Sequence, residues 1–118
     1  MENNLTMYQG VSVPIAEVLM LLKMKAYLNL KESRERGKEI ASDDIRKHQN
    51  DVLRLLAVAD TKSKLAVSDN VFSDVKLFLS DLNIDENHLR MMGVPGISGK
   101  EAKEIIRNMY VSENLPLS

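Results

Sequence analysis

Two lysines set inside an apolar run are the first residues of this chain whose type and position could do chemistry. Lys23 and Lys25 lie in Leu21-Leu22-Lys23-Met24-Lys25-Ala26. On a helix, Lys23 would have Leu19, Met20, Ala26 and Tyr27 as its three- and four-residue neighbours. An ammonium among such groups is costly unless it is paired. Either each stem lies along the surface with its head in water, or the head is aimed as a point charge at a phosphate or an acidic partner in a cleft. A second group, Asp44, Lys47, His48 and Asp51, repeats at spacings of three and four and so shares one helical ridge. Its plain reading is a packed His48 beside a surface Lys47–Asp51 pair, worth a few tenths of a kcal/mol. Its chemical reading places His48 or Asp51 in a site facing the first helix. Asp44, His48 and Asp51 as metal ligands would need further ligands and an outer shell, and no metal is expected. Neither His48 nor His88 lies near a serine nucleophile motif, and no glycine-rich phosphate loop is followed by Lys and Ser or Thr.

The elements that must position these residues are mainly helical. Ser12 as cap and Pro14 in the first turn open a helix running to about Leu30, with Ile15, Val18, Leu19, Leu22 and Ala26 at helical spacing. Met20, Leu21 and Met24 make it apolar on most sides, which marks a central helix. A charged stretch, Lys31 to Glu39, leads to a second helix capped by Ser42 or Asp43, with Ile45, His48, Val52, Leu55, Leu56 and Ala59 as its stripe. Asp60 to Lys64 is a loop. The spacing predicts a third helix over Asp69 to Leu82, with Val71, Phe72, Val75, Phe78, Leu79 and Leu82 inward, then a helical turn from Glu86 to Met92. After the tight turn at Pro95-Gly96, Ser98 and Glu101 form a capping box for a last helix to about Tyr110, with Ala102, Ile105, Ile106 and Met109 inward. Ahead of all this, Leu5 to Val13 reads as one strand without a visible partner.

The expected architecture is therefore mainly α, a bundle of four or five helices over residues 13–111. A strand-like segment at 1–12 precedes it and a loose tail at 112–118 follows. The chain has 118 residues, 44% apolar and 28% charged, with a net charge of −1, ordinary values for one globular domain. The charge balance announces no nucleic-acid or membrane partner. The absence of cysteine excludes disulfides and thiolate chemistry. No apolar run reaches the length of a membrane span and no signal peptide opens the chain, so the expected location is the cytoplasm. Aromatic residues are 4% with no Trp, too few for stacking single-stranded bases.

The run Leu21-Leu22-Lys23-Met24-Lys25-Ala26, a charged turn, and Lys47-His48-Gln49-Asn50-Asp51-Val52 resemble the third and fourth motifs of AbiEii-type nucleotidyltransferases, the abortive-infection and toxin–antitoxin toxins. The family's lysine falls on Lys23, its last aspartate on Asp51 and its basic residue on Lys47. Its first aspartate falls on His48, a departure. The resemblance covers about Val13 to Leu56. It implies a nucleotide-binding role for Lys23, Lys25, Lys47 and His48, with Lys23 touching the phosphates and Asp51 orienting it. The family's Gly-Ser turn and Asp-x-Asp strand do not occur here, and two-metal phosphoryl transfer needs those carboxylates. The chain is therefore expected to be inactive alone and to bind no cofactor itself. It reads as a C-terminal fragment, a degraded reading frame or a wrongly assigned start. A missing N-terminal domain would supply Mg²⁺ and nucleoside triphosphate chemistry, an antitoxin is an implied partner, and surface left bare by that domain would favour self-association.

Val94-Pro95-Gly96-Ile97-Ser98-Gly99-Lys100-Glu101-Ala102 resembles a helix–hairpin–helix turn, with Ser98 where that motif usually has a second glycine. This resemblance implies an alternative, a non-enzymatic interaction module. It would contact a DNA phosphate through the backbone at Gly96, Ser98 and Gly99, aided by Lys100, Lys103 and Arg107.

Overall fold

The computed structural model describes residues 5–8 and 11–113, with side chains described from residue 15 onward. Among the described residues, five helices form the body: α1 (Ile15–Glu35), α2 (Ser42–Leu56), α3 (Asp69–Asp81), α4 (Glu86–Met91) and α5 (Gly99–Asn108). Two small sheets complete it. β1 (Leu5–Tyr8) pairs antiparallel with β2 (Val11–Pro14), and β3 (Leu65–Val67) pairs parallel with β4 (Tyr110–Ser112). The mainly α architecture is thus as expected, and the strands differ from expectation.

The lone strand at the N-terminus is a hairpin. Met7 lies opposite Ser12 and Leu5 opposite Pro14. Ser12 and Pro14 therefore belong to a strand instead of capping and opening the helix. The strand that looked partnerless finds its partner within ten residues. The boundary of the expected tail also moves. Ser112 is buried, pairs with Val67 and bonds to Asp69, so the chain is tied into the fold through Glu113, whose N–H donates to the Val67 carbonyl. Residues 114–118 lie outside the described residues.

α1 is the platform for α2 and α3. Its buried face is Ala16, Glu17, Met20, Met24 and Tyr27, spaced at three and four as one helical face must be. The expected stripe of Ile15, Leu19 and Leu22 instead lies outward, with Leu22 60% exposed. A helix apolar almost all round gives periodicity nothing to select a face with. The helix also runs past Leu30 to Glu35. Its last turns lack apolar residues but contain helix formers, an Arg36–Glu32 pair at 3.0 Å, and Lys31 paired with Asp81 of α3.

α3 and α5 bury the faces their spacing predicts. α3 inserts Val75, Phe78 and Leu79 with Leu82 just beyond, and α5 inserts Ala102 and Ile106 with Met109 following. Phe78 meets Tyr27 edge to face at 5.1 Å. α2 inserts Ile45, Val52, Leu53 and Leu56, and opens at Ala41 without a side-chain cap; Ser42 is its first residue, while Asp43 and Asp44 sit in the first turn as expected. The capping box of α5 is formed, with Glu101 N–H to Ser98 Oγ at 3.1 Å and Ser98 N–H to Glu101 Oε1 at 2.9 Å.

A polar knot under α1 joins the two ends of the fold. The Glu17 carboxylate, on a residue only 1% exposed, accepts the Asp60 N–H at 2.8 Å. The Glu17 backbone carbonyl accepts the Tyr110 hydroxyl at 2.7 Å. Ser63 Oγ and the Lys62 N–H in turn hold the Asp60 carboxyl below its ordinary range and fix the loop that presents that N–H.

Burial, aided by the negative Glu17, holds the Tyr110 phenol well above its ordinary 10.0. Below pH 10 both folded and unfolded states keep the proton. Above it the unfolded chain loses its proton first, so stability falls as pH rises. The hydrogen bond to Asp81 raises Lys31 as well, and acts in the same sense. Urea melts should show stability dropping above about pH 10. Tyr110→Phe should lower stability at pH 7 by about 1 kcal/mol while flattening the alkaline fall. An equally steep fall in the variant would show that Tyr110 is not its source.

Candidate functional site

Lys23 and Asp51 face each other across the α1–α2 contact. Lys23 Nζ stands 3.1 Å from Asp51 Oδ2, with side chains 37% and 23% exposed. Arg54, one turn further along α2, reaches the other oxygen, Oδ1, at 3.6 Å. One carboxylate thus holds two cations, and the cluster keeps one positive charge at a half-open surface. Its origin is local. Met20 and Met24 bury the adjoining face of α1, and Val52 and Leu53 bury the adjoining face of α2. The two helices pack there, and Lys23 and Asp51 come to the margin of the apolar contact with heads outward.

The other candidates divide around this pair. Lys25 is two positions from Lys23, about 200° further round the helix. It lies on the α3 side, where it bonds Asp74 at 3.2 Å. The structure does not bring the two lysines to one site. Lys47 is exposed, and Asp51 takes Lys23 and Arg54 as partners in place of the expected i,i+4 pair with Lys47. His48, one turn before Asp51 on the same helix, is half-buried. Its Nδ1 is enclosed without a hydrogen-bond partner among the described residues. Among the described residues, no group of three His, Asp or Glu side chains could hold a metal ion, and no helix is long and apolar enough to cross a membrane.

Two side chains that sequence reasoning passed over take part in the same neighbourhood. Arg54 carried no signal beyond its i,i+3 spacing from Asp51. Asn50 Oδ1 lies 2.8 Å from His88 Nε2 and ties α2 to α4, a contact between residues whose spacing along the chain gave no hint of it.

The turn between α4 and α5 has the backbone that its glycines suggest. Gly96 adopts φ +84°, a left-handed conformation with open space around it. Gly99 has a different reason to be glycine: an added Cβ would collide with the backbone carbonyl oxygen of Ile84. Gly99 therefore lets α5 approach the connection between α3 and α4. Lys100 is exposed and Lys103 half-buried. The capping box, however, places the Glu101 carboxylate on the Ser98 N–H. One of the backbone donors that would meet a phosphate is occupied, and by a negative group.

Half-exposed ion pairs are weak because water competes for both heads. A double-mutant cycle of Lys23→Ala and Asp51→Ala, read by urea melts, should give a coupling below about 1 kcal/mol. A coupling several times larger would mean that the pair holds α1 and α2 together.

Comparison of the sequence with protein-family models, with curated proteins and with solved structures finds no match.

Proposed function

We propose that the α1–α2 face is a phosphate-binding surface that contributes to a nucleotide site without completing a catalytic one. The observation that carries this reading is the Lys23–Asp51–Arg54 cluster. Asp51 touches two cations from two helices, so it fixes Lys23 in place while leaving net positive charge on the open side. A phosphate arriving from solvent would meet an ammonium already oriented and a guanidinium that can bond through two N–H groups. The weak intrinsic strength of the pair suits this role, since a ligand can share the lysine without dismantling the fold. The resemblance to nucleotidyltransferase motifs falls on the same Lys23 and Asp51. Lys25, held by Asp74 on the other flank, has no part in this reading. In a nucleotidyltransferase, Mg²⁺ and the reacting nucleoside triphosphate would be held by carboxylates that this chain does not supply, and an antitoxin or catalytic domain would be the partner.

Titration of the chain with ATP, followed by amide NMR, tests the reading. Shifts should concentrate at Lys23, Asp51 and Arg54 and weaken as salt rises. Lys23→Ala should remove them with little change in melting temperature. Shifts that persist in Lys23→Ala would sink the proposal, as would a collapse in melting temperature. The purified chain with Mg²⁺ should transfer no nucleotide from ATP; transfer would overturn the claim that the site is incomplete.

A second reading, DNA binding through the Gly96–Lys103 turn, draws on the left-handed Gly96 and exposed Lys100. The Glu101 carboxylate at the same turn works against it. A gel shift with duplex DNA should show no salt-dependent complex at low salt. A complex abolished by Lys100→Glu would reverse the preference between the two readings.

A further inference from the structure

On the flank of α1 away from Lys23 lies an apolar groove of about 800 Å³, walled by Val18, Leu21 and Leu22 of α1 and by Val71 and Val75 of α3. Leu22 is 60% exposed there, a large apolar side chain left bare on the central helix. A second cleft of about 520 Å³ adjoins it toward the C-terminal end of α1, between Leu28, Lys31 and Glu35 of α1 and Leu77 and Asp81 of α3. Lys25 and Asp74 line both clefts. Their ion pair at 3.2 Å therefore marks where an apolar half and a polar half of one α1–α3 seam meet.

The charges of the seam do not balance. Lys25 is matched by Asp74 and Lys31 by Asp81. Glu113 at the β3 end and Glu35 at the far end line the seam, and neither forms an ion pair among the described residues. An apolar strip with an uncompensated carboxylate at each end complements a segment that is apolar in its middle and basic at both ends. β3 favours an extended backbone for that segment. In the parallel ladder the Leu65 N–H donates to the Met109 carbonyl, and the Val67 carbonyl accepts from the Glu113 N–H. Ala66, exposed between them, therefore directs its own N–H and C=O away from β4. Ala66 also lines the groove, so an apolar floor lies beside one main-chain donor and one acceptor, the pairing groups of strand addition at a sheet edge. From Leu22 to Glu35 the helix rises about 20 Å, the reach of roughly six extended residues. We propose that the α1–α3 seam docks an extended segment of a partner protein, apolar at alternate positions and basic at both ends, which adds to the open edge of β3.

The probe is the synthetic peptide Arg-Val-Thr-Val-Thr-Val-Arg with blocked ends, whose symmetry serves either strand direction. It is titrated into the full chain and followed by amide NMR. Shifts should concentrate at Leu22, Ala66, Val71 and Val75. The same peptide with glutamate in place of both arginines should cause none. Glu35→Lys combined with Glu113→Lys should weaken binding by roughly tenfold at an unchanged melting temperature, since neither carboxylate holds a cation in the fold. Absence of shifts at millimolar peptide would overturn the proposal, as would equal shifts from the glutamate peptide or undiminished affinity in the double variant. Groove amides that move with protein concentration in the absence of peptide would also overturn it, assigning the seam to a second copy of the chain.

Discussion

A carboxylate enclosed at 1% exposure must find a donor or destabilise whatever encloses it, and Glu17 organises this fold around that requirement. Its side chain takes the Asp60 N–H from the loop after α2, and its carbonyl takes the Tyr110 hydroxyl from β4. One residue in the first turn of α1 therefore ties the loop after α2 and the C-terminal strand to the same helix. The apolar core fills the remaining space: Met20 and Met24 from α1, Phe78 and Leu79 from α3, and Ile106 and Met109 from the C-terminal part. That burial supplies most of the stabilisation. It is indifferent to small displacements in a way that the hydrogen bonds of Glu17 are not.

The two flanks of α1 serve different chemistry because positions two apart on a helix face nearly opposite ways. Lys23 looks toward α2 and meets Asp51. Lys25 looks toward α3 and meets Asp74, in a seam continued by Tyr27 and Lys31 on Asp81. The α3 seam adds a phenol to its ion pairs, Tyr27 donating to the same Asp81 that holds Lys31. Burial holds the Tyr27 phenol above its ordinary range, the Asp81 charge acting in the same sense, and Asp81 raises the Lys31 ammonium. On the α2 side one carboxylate, Asp51, holds two cations, Lys23 from α1 and Arg54 from its own helix.

Elements with a one-sided apolar pattern were legible in the sequence. α3 and α5 bury what their spacing indicates, and Ser98 and Glu101 close the box their types and separation suggest. The face of α1 was not legible, because Ile15, Leu19 and Leu22 repeat as regularly as Met20, Met24 and Tyr27. Only packing against α2 and α3 decides between them. β3 and β4 were invisible for a different reason. Three residues carry no measurable alternation, and their pairing joins Leu65 to Tyr110, far apart in the chain. The hairpin at the N-terminus was hidden because Leu5 to Val13 reads as a single extended run, with Gln9 and Gly10 taken as interior residues. At the site, the resemblance singled out Lys23 and Asp51, which the structure brings together. It could not separate Lys25 from Lys23, although helical geometry already does. Arg54 joins the pair only through the second oxygen of Asp51.

The parallel pairing of β3 with β4 also governs the order in which the protein can be assembled during synthesis. Chains emerge N-terminus first and fold as their parts become available. α1, α2 and the loop that offers Asp60 to Glu17 can form while the ribosome is still extending the chain. β3 must wait, because its partner and the Tyr110 hydroxyl that closes the Glu17 knot are made well after it. Until then β3 carries two open edges, the condition that favours wrong pairing between nascent chains. Its brevity, three residues with Ala66 at the centre, limits what such an edge can recruit, so the same shortness that hid the strand from sequence reasoning protects the chain while it is being made.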